Sequence, residues 1–528
     1  MNPSSRPFGP ALVLLLVIGA SAATAQVIDP ARGADPTFDY ASLQRIAPWD
    51  DRNYQLTAED VAALGPNEQE ATEAIPAFYR VYLRRNWTFR TEGPAQYPRS
   101  ALPGFLNEYG GYLYQGNVYR EAVHGEDGWS LRLEEGVPEA ELMAQKFLAG
   151  ESRVTDPNSA AESAIAINPA DPDVVIAGSN GPGGGQRMHF STDGGETWSL
   201  STTTLPGSCC DPTVGWSSDG SIGYTSTLNL PELIFYRTLD GGQTWTDSVQ
   251  VDNDSGFVDK QYLHVDRHPS SPHLDHLYHT WHESNVMKFS RSTDFGVSWS
   301  AEQTIGSSAG IGSDITTDKA GNVYYFWPAF GPRDILVAKS TDGGASFGRQ
   351  SLVVDTEGGF DFPLPSMENR RVFIYNAADA DLSNGPFGGS VYVSWTDNTG
   401  PDSGTPANNH GRIQVAYSRD GGATWTVRTP HETADSDTVD RYHQWLGVAP
   451  DGRVHVIFYD TRRDLPNRNQ VDVFRSFSTD GGDTWSTPER VTAEQSPNIS
   501  GSFEFGDYNG LDVVGNDVIA IYTDNRDE

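Results

Sequence analysis

Apolar positions in this chain come in short runs that alternate with polar ones, and the runs occur in pairs. Ile234–Tyr236 and Ile413–Tyr417 are typical, with β-branched and aromatic residues followed at once by a Gly-rich turn. Alternation with a period of two predicts half-buried strands, and the turns predict hairpins. One turn recurs six times: Ser191–Trp198, Thr238–Trp245, Ser292–Trp299, Ser340–Phe347, Ser418–Trp425 and Ser478–Trp485. Its pattern is Ser/Thr-x-Asp-x-Gly-x-x-aromatic. The aspartate can cap backbone N–H groups of a tight turn, and the glycine can take a positive φ. The aromatic residue should fold back over the hairpin. Trp198, Trp245, Trp299, Phe347, Trp425 and Trp485 are therefore expected to be largely buried against their own strands.

A second hairpin precedes several of these turns. Asp211-Pro212-Thr213-Val214 leads to Asp219–Tyr224, Ser313-Asp314-Ile315 to Gly321–Tyr324, and Trp445–Val448 to Asp451–Val456. Two hairpins make four strands, the size of one β-propeller blade. The box aspartates, Asp193, Asp240, Asp294, Asp342, Asp420 and Asp480, recur at blade-length intervals, with the longest gap between the fourth and fifth. The expected fold is all-β: a propeller over 153–528, with seven blades as the first reading and six as the alternative. The seventh unit, Gly506–Leu511 with Asp517–Tyr522, has one hairpin only, and Gly111–Ala122 is a candidate to donate its missing strands.

Residues 26–152 lack the repeat and read as a small mixed or helical extension. Thr57–Gly65 is predicted to be a capped short helix and Glu70–Arg85 a second helix. At the start, Arg6, the apolar run Ala11–Ala20 and Ala23-Thr24-Ala25 have the form of a signal peptide over residues 1–25. The run is too short to span a bilayer. A secreted or periplasmic, monomeric protein without membrane insertion is expected.

Charge narrows the partners. Against 36 Lys and Arg stand 71 Asp and Glu, a formal net charge of −35. Such a surface repels nucleic acid and anionic lipid. An acidic ligand would need a local group of arginines. The two cysteines, Cys209 and Cys210, are adjacent. They read either as small turn residues or as a vicinal disulfide forming a ledge beside a pocket.

The six boxes resemble those of the bacterial sialidase-like, or BNR-repeat, superfamily, and the resemblance covers roughly Ala161 to the C-terminus. It implies that the boxes lie in the turns between third and fourth strands, away from the functional face. Sialidases of that superfamily also carry a Phe/Tyr-Arg-Ile-Pro motif whose arginine grips the substrate carboxylate. This sequence has no such motif, and fold alone does not imply function.

Propeller topology collects the starts of inner strands and the ends of second strands on the face opposite the boxes. That face is expected to hold Asp211, Asp259–Tyr262, Asp440–Trp445 and Gly506–Tyr508, with Trp281–Glu283, Tyr459–Asp464 and Tyr522–Arg526. Carboxyls can protonate a glycosidic oxygen and a carboxylate or activated tyrosine can attack. Arginines bind carboxylates in bidentate fashion. The expected roles are Asp259 as acid/base, Tyr442 or Tyr508 as nucleophile with Glu283 as its base, and Arg441, Arg463 and Arg526 as anion clamps. His443, Asp440, Asp507 and Trp281 complete the expected carbohydrate-binding set. The function expected is a glycoside hydrolase, with a non-catalytic glycan- or protein-binding propeller as the alternative and a polysaccharide lyase using Tyr442-His443 as a third reading. No cofactor is expected; clustered oxygens leave structural Ca²⁺ open. The histidines His264, His268, His273, His276, His279 and His282 lack the spacing of a zinc hydrolase.

Overall fold

Each box closes on itself. Ser191 Oγ donates to Asp193 Oδ1 at 2.7 Å and accepts the Gly195 N–H at 2.9 Å. Asp193 in turn accepts the Thr197 N–H at 2.9 Å and the Thr197 hydroxyl at 2.5 Å. The same bonds form around Asp240, Asp294, Asp342, Asp420 and Asp480. The box glycine has positive φ in every copy, from 75° at Gly344 to 92° at Gly482, a conformation that suits glycine.

The computed structural model describes residues 150–528 apart from 156–159, 182–184, 204, 206–207, 230–231, 253–257, 332, 500–503, 516 and 527–528. Before residue 150 it describes the strands Val27–Ile28, Leu43–Arg45, Tyr112–Tyr114, Asn117–Gly125 and Gly128–Glu134. The signal-peptide residues and both expected helices lie outside the described residues.

Six antiparallel four-stranded blades follow one another along the chain. Their innermost strands are Ala161–Ile167, Thr213–Trp216, Val258–Val265, Asp314–Thr317, Ala377–Ala380 and Arg441–Val448. The sixth blade has an extra two-residue strand, Ser496–Pro497. Six complete blades match the alternative count. The seventh unit is present as a hairpin, Gly510–Val514 with Asp517–Ile521. Its first strand lies between Arg441–Val448 and Ala161–Ile167 and closes the ring. Tyr112–Tyr114 and Asn117–Gly125 pair with each other inside a separate five-stranded sheet. The chain divides into compact units Met1–Met143 and Ala144–Glu528.

The seam of the ring is tied by residues just before the first blade. Glu151 accepts the Ala493 N–H at 2.9 Å and the Tyr522 hydroxyl at 2.5 Å, while Trp198 Nε1 donates to Ser152 Oγ at 3.0 Å. The long interval between the fourth and fifth boxes is explained by an inserted hairpin, Asp361–Leu364 with Met367–Phe373.

The box aromatics correct the sequence expectation. Trp245 is buried, whereas Trp198, Trp299, Phe347, Trp425 and Trp485 are only half-buried. They pack between blades rather than against their own blade alone. Trp245, from blade two, joins Ile176 and Met188 of blade one. Trp299 meets Phe235 of the preceding blade with ring centroids 5.1 Å apart, and Trp425 meets Phe326 at 5.6 Å. The box turn swings its ring past the blade edge into the groove where twisted sheets diverge.

Candidate functional site

Innermost strands one, three and six each begin with a bulge. Pairing skips from Ala161 to Ala164, from Asp259 to Tyr262 and from Tyr442 to Trp445. Inside each bulge one residue is left-handed: Glu162 at φ 54°, Lys260 at 53° and His443 at 49°. Asp211, before the inner strand of blade two, does the same at 58°. A bulge re-aims a side chain, and here it turns residues from separate blades toward one another. After Lys260 and His443 the next residue, and in the closing segment Asn509, secures the arrangement by reaching the preceding unit's backbone. Gln261 Nε2 donates to Asp211 O, Gln444 Nε2 to Tyr375 O at 2.9 Å, and Asn509 Nδ2 to His443 O at 3.0 Å.

Lys260 is the centre of this cluster. Its side chain is buried, with Nζ donating to Tyr262 Oη at 2.9 Å and lying over the Tyr508 ring and 5.1 Å from the Tyr375 ring centroid. Such aromatic faces attract an ammonium. Burial lowers its pKa to about 8, against the opposing pull of Asp211, Glu162, Asp507 and Asp259. Arg370, carried in by the inserted hairpin, is the second cation. It pairs with Glu162 and, through Nε, with Asp507 Oδ1 at 2.6 Å. Asn180 links the acids, its Nδ2 donating to Glu162 and its Oδ1 accepting the Asp211 N–H at 2.8 Å.

The carboxyls differ in proton affinity. Burial, and then the neighbouring Asp259 charge, push Asp211 up to about 7. Glu162 is raised well above the usual range by burial and by repulsion from Asp507 and Asp211. Asp259 goes the other way: burial would raise it, but hydrogen bonding and charge from His282, a hydrogen bond with Asp211 and the Lys260 charge outweigh that and lower it. Its Oδ2 is 3.7 Å from His282 Nε2, and its side chain is 32% exposed. Asp211 Oδ2 and Asp259 Oδ1 both accept the Lys260 N–H, at 3.2 and 3.0 Å, so the cluster sets a buried carboxyl of raised proton affinity beside a partly open one of lowered proton affinity. Divergent proton affinities of this kind separate a proton donor from a proton acceptor.

Of the residues expected from the sequence, Asp259, Asp507, Tyr508 and His443 meet here. The proton affinity of Asp259 is lowered and that of Asp211 raised, so Asp259 suits the base half of its expected acid/base role better than the acid half. Tyr508 is packed against Lys260, and burial raises its pKa well above the ordinary value, which disfavours the phenolate a nucleophile needs. His443 is held neutral, its pKa lowered to about 3 by burial and by Arg370 and Lys260.

The remaining expected residues are placed elsewhere. Tyr442 is in the core with Ile457, Tyr459 and Phe505, which removes both the tyrosine nucleophile and the Tyr442-His443 base pair of an elimination. Glu283 faces Lys288 at 3.1 Å. Trp281 is buried with Leu228, Leu233 and Val258 and offers no stacking face. Asp440 is buried against Arg468 at 2.7 Å and His410 at 3.1 Å.

The three arginines do not form a shared clamp. Arg441 is fully buried between Asp460 at 2.7 Å and Asp435 at 2.8 Å. Arg463 pairs with Asp472 at 3.1 Å, and Arg526 with Asp524 and Glu151. Acids close by in sequence satisfy each guanidinium, which is the economical arrangement in so acidic a chain.

Glu162, Arg370 and Tyr375 were missed from the sequence, and Asp211 and Lys260 were noted at strand starts without a role. The register of Glu162 with Lys260 and His443 was a legible signal once the strand starts are aligned. Arg370 had none, since its hairpin interrupts the repeat. Among the described residues no group of three or more His, Cys, Asp or Glu is arranged to hold a metal ion.

A BNR/Asp-box repeat family model matches residues 189–200, and a model described as a domain of unknown function (DUF8300) matches 39–123. No curated protein matches the chain. Among solved structures, the Hadza microbial sialidase Hz136 aligns at 14% identity, covering 57% of this chain and 63% of that one, with a TM-score of 0.36. The intramolecular trans-sialidase from Ruminococcus gnavus aligns at 12%, covering 64% and 96%, at 0.40. YCF48 bound to D1 peptide aligns at 16%, covering 70% and 94%, at 0.39. Six self-closing Asp boxes on six successive four-stranded blades, one of them matched by the repeat model, make this chain a β-propeller carrying the BNR/Asp-box repeat.

Proposed function

We propose that this protein is an exported glycan-active propeller that hydrolyses glycosidic bonds at the Asp211–Asp259 pair. One observation carries the reading: Asp211 and Asp259, from neighbouring blades, accept the same Lys260 N–H at 3.2 and 3.0 Å, and burial and neighbouring charges push their proton affinities apart. Asp211 would give its proton to the leaving oxygen. Asp259 would accept one from water or stabilise positive charge at the anomeric carbon. Trp445, half-buried and with its ring centroid 5.2 Å from that of the buried Tyr262, supplies aromatic surface beside the pair.

The substrate class follows from charge. Lys260 and Arg370 are already engaged by Glu162, Asp211 and Asp507, so neither is left to receive a sugar carboxylate. A neutral sugar fits this balance; a sugar carboxylate would be repelled. Export rests on the apolar run Ala11–Ala20 and Ala23-Thr24-Ala25.

Purified protein assayed on a panel of neutral and acidic fluorogenic glycosides tests the reading. Turnover of a neutral glycoside is expected, falling at least ~100-fold in Asp211→Asn and in Asp259→Asn, the usual scale for general acid–base catalysis. Turnover untouched by both substitutions refutes the assignment. Glycan binding without turnover would support the non-catalytic alternative. That alternative is favoured by the burial of Asp211, which is 7% exposed.

A further inference from the structure

Cys209 and Cys210 are joined by a disulfide immediately before Asp211. Cys209 is exposed and Cys210 half-buried. The pair is fixed to the second strand of its blade: Cys209 N–H donates to Leu228 O at 2.7 Å, and Leu228 N–H donates to Cys210 O at 3.3 Å. Cys210 packs against Leu228, Leu233, Val258 and Trp281. Val258 is the neighbour of Asp259, and Trp281 is the neighbour of His282. The cluster that Cys210 packs against thus contains the chain neighbours of both Asp259 and His282, while its own next residue is Asp211.

Asp211 needs such support. Its left-handed backbone, φ 58°, is uncommon for a residue other than glycine. The local hydrogen bonds holding it are its N–H to Asn180 Oδ1 at 2.8 Å and its Oδ2 accepting the Lys260 N–H at 3.2 Å, besides the Gln261 bond to its carbonyl. A disulfide between neighbours closes a small ring through their shared peptide. It removes torsional freedom from the residue next to Asp211, so less backbone entropy is lost in ordering that residue.

We propose that the Cys209–Cys210 disulfide is a redox-sensitive positioning element for the Asp211–Asp259 pair, holding Asp211 against Asp259 when oxidised and releasing it when a dithiol reduces the bond. The proposal rests on that pair being the acid–base centre. A reductant thiolate attacks the exposed Cys209 sulfur, the S–S bond breaks, and Cys210 leaves as a thiolate that takes up a proton. The reductant's second thiol then resolves the mixed disulfide, leaving two protein thiols and an oxidised, cyclic reductant. The chain has only two cysteines, so no other cysteine of its own can exchange with the opened pair. The groups facing Asp211 are Asp259 and Lys260 from blade three, Glu162 from blade one, Asp507 and Tyr508 from the closing segment, and Arg370 from the inserted hairpin, with Tyr262 and Tyr375 nearby.

The test uses the full chain in three forms: oxidised, reduced with dithiothreitol, and Cys209→Ser/Cys210→Ser. Aspartate carboxyl titrations are followed by ¹³C NMR, with near-UV circular dichroism reporting the fold. In the oxidised protein one carboxyl should titrate near neutrality and vanish in Asp211→Asn. Opening the disulfide by either route should move that titration down by at least one pH unit while the fold persists. An unchanged titration in the opened forms overturns the proposal even if melting temperature falls. Loss of fold in both opened forms also overturns it, because the disulfide is then a scaffold element. If Asp211→Asn removes no near-neutral titration from the oxidised protein, it is the reading of the pair that fails.

Discussion

Replacing Asp211 by Asn should make the protein more stable at alkaline pH while removing the proposed proton donor. Asn keeps the shape of the side chain, can accept the Lys260 N–H through its Oδ1 and can donate to Asp259. It carries no proton to lose. In the native protein Asp211 has its pKa raised to about 7 from 3.8, chiefly by burial. A raised carboxyl favours the folded state fully below the unfolded pKa, and this advantage disappears as pH rises through the folded value. Between about pH 4 and pH 7 the native protein therefore loses stability that Asp211→Asn retains. Three units at 1.36 kcal/mol each set an upper scale of roughly 4 kcal/mol. Part of it is shared with Asp259, because contacting carboxyls titrate together. Urea unfolding at pH 4, 6 and 8.5 measures it: the variant should match the native protein at pH 4 and exceed it by about 2–4 kcal/mol at pH 8.5. Equal losses of stability in the variant at all three pH values would show that Asp211 is an ordinary ionised structural acid.

Arg441→Ala should destabilise the fold by roughly 1.5–3 kcal/mol, the scale of a hydrogen bond to a charged group, since Asp460 loses its buried Arg441 partner while keeping Arg462 at 2.7 Å; a normal melting temperature with weakened ligand binding would instead restore it as a ligand contact. Trp245→Ala should cost about 3–5 kcal/mol in chemical unfolding by opening the groove between blades one and two, and a loss under 1 kcal/mol would contradict interblade packing. Asp480→Ala should cost on the order of 1 kcal/mol, as for other backbone caps, and leave glycan preference alone. Its carboxyl is held below the usual range: burial opposes this, but hydrogen bonds from Thr484 and Ser478 prevail. The stability difference should therefore shrink as pH falls below about 4; a difference constant down to pH 2 would assign the loss to packing.

The propeller was legible in the sequence because its signals are local. In a box, Asp480 bonds Ser478 and Thr484, all within one turn, so residue type and spacing suffice to define it. Strand alternation is equally short-range. The count of complete blades was less certain, since the last hairpin, Gly510–Ile521, looks like the start of another blade and only its contacts show it closing the ring by itself. The candidate site depends on distant residues. Glu162, Asp211, Lys260, Arg370 and Asp507 come from separate blades and an inserted hairpin, and they meet only once the ring is closed. Asp259 could be named as a site acid from its place at a strand start, but whether it donates or accepts a proton was set by the burial of Asp211 and by His282 across the strand pair. The arginines show the same division. Arg441 reads as a rim charge in sequence, yet folding seals it between Asp435 and Asp460. Short-range hydrogen bonding and periodicity specify the blades, whereas desolvation and long-range charge contacts, which exist only in the assembled ring, decide which acids hold protons and which cations are spoken for.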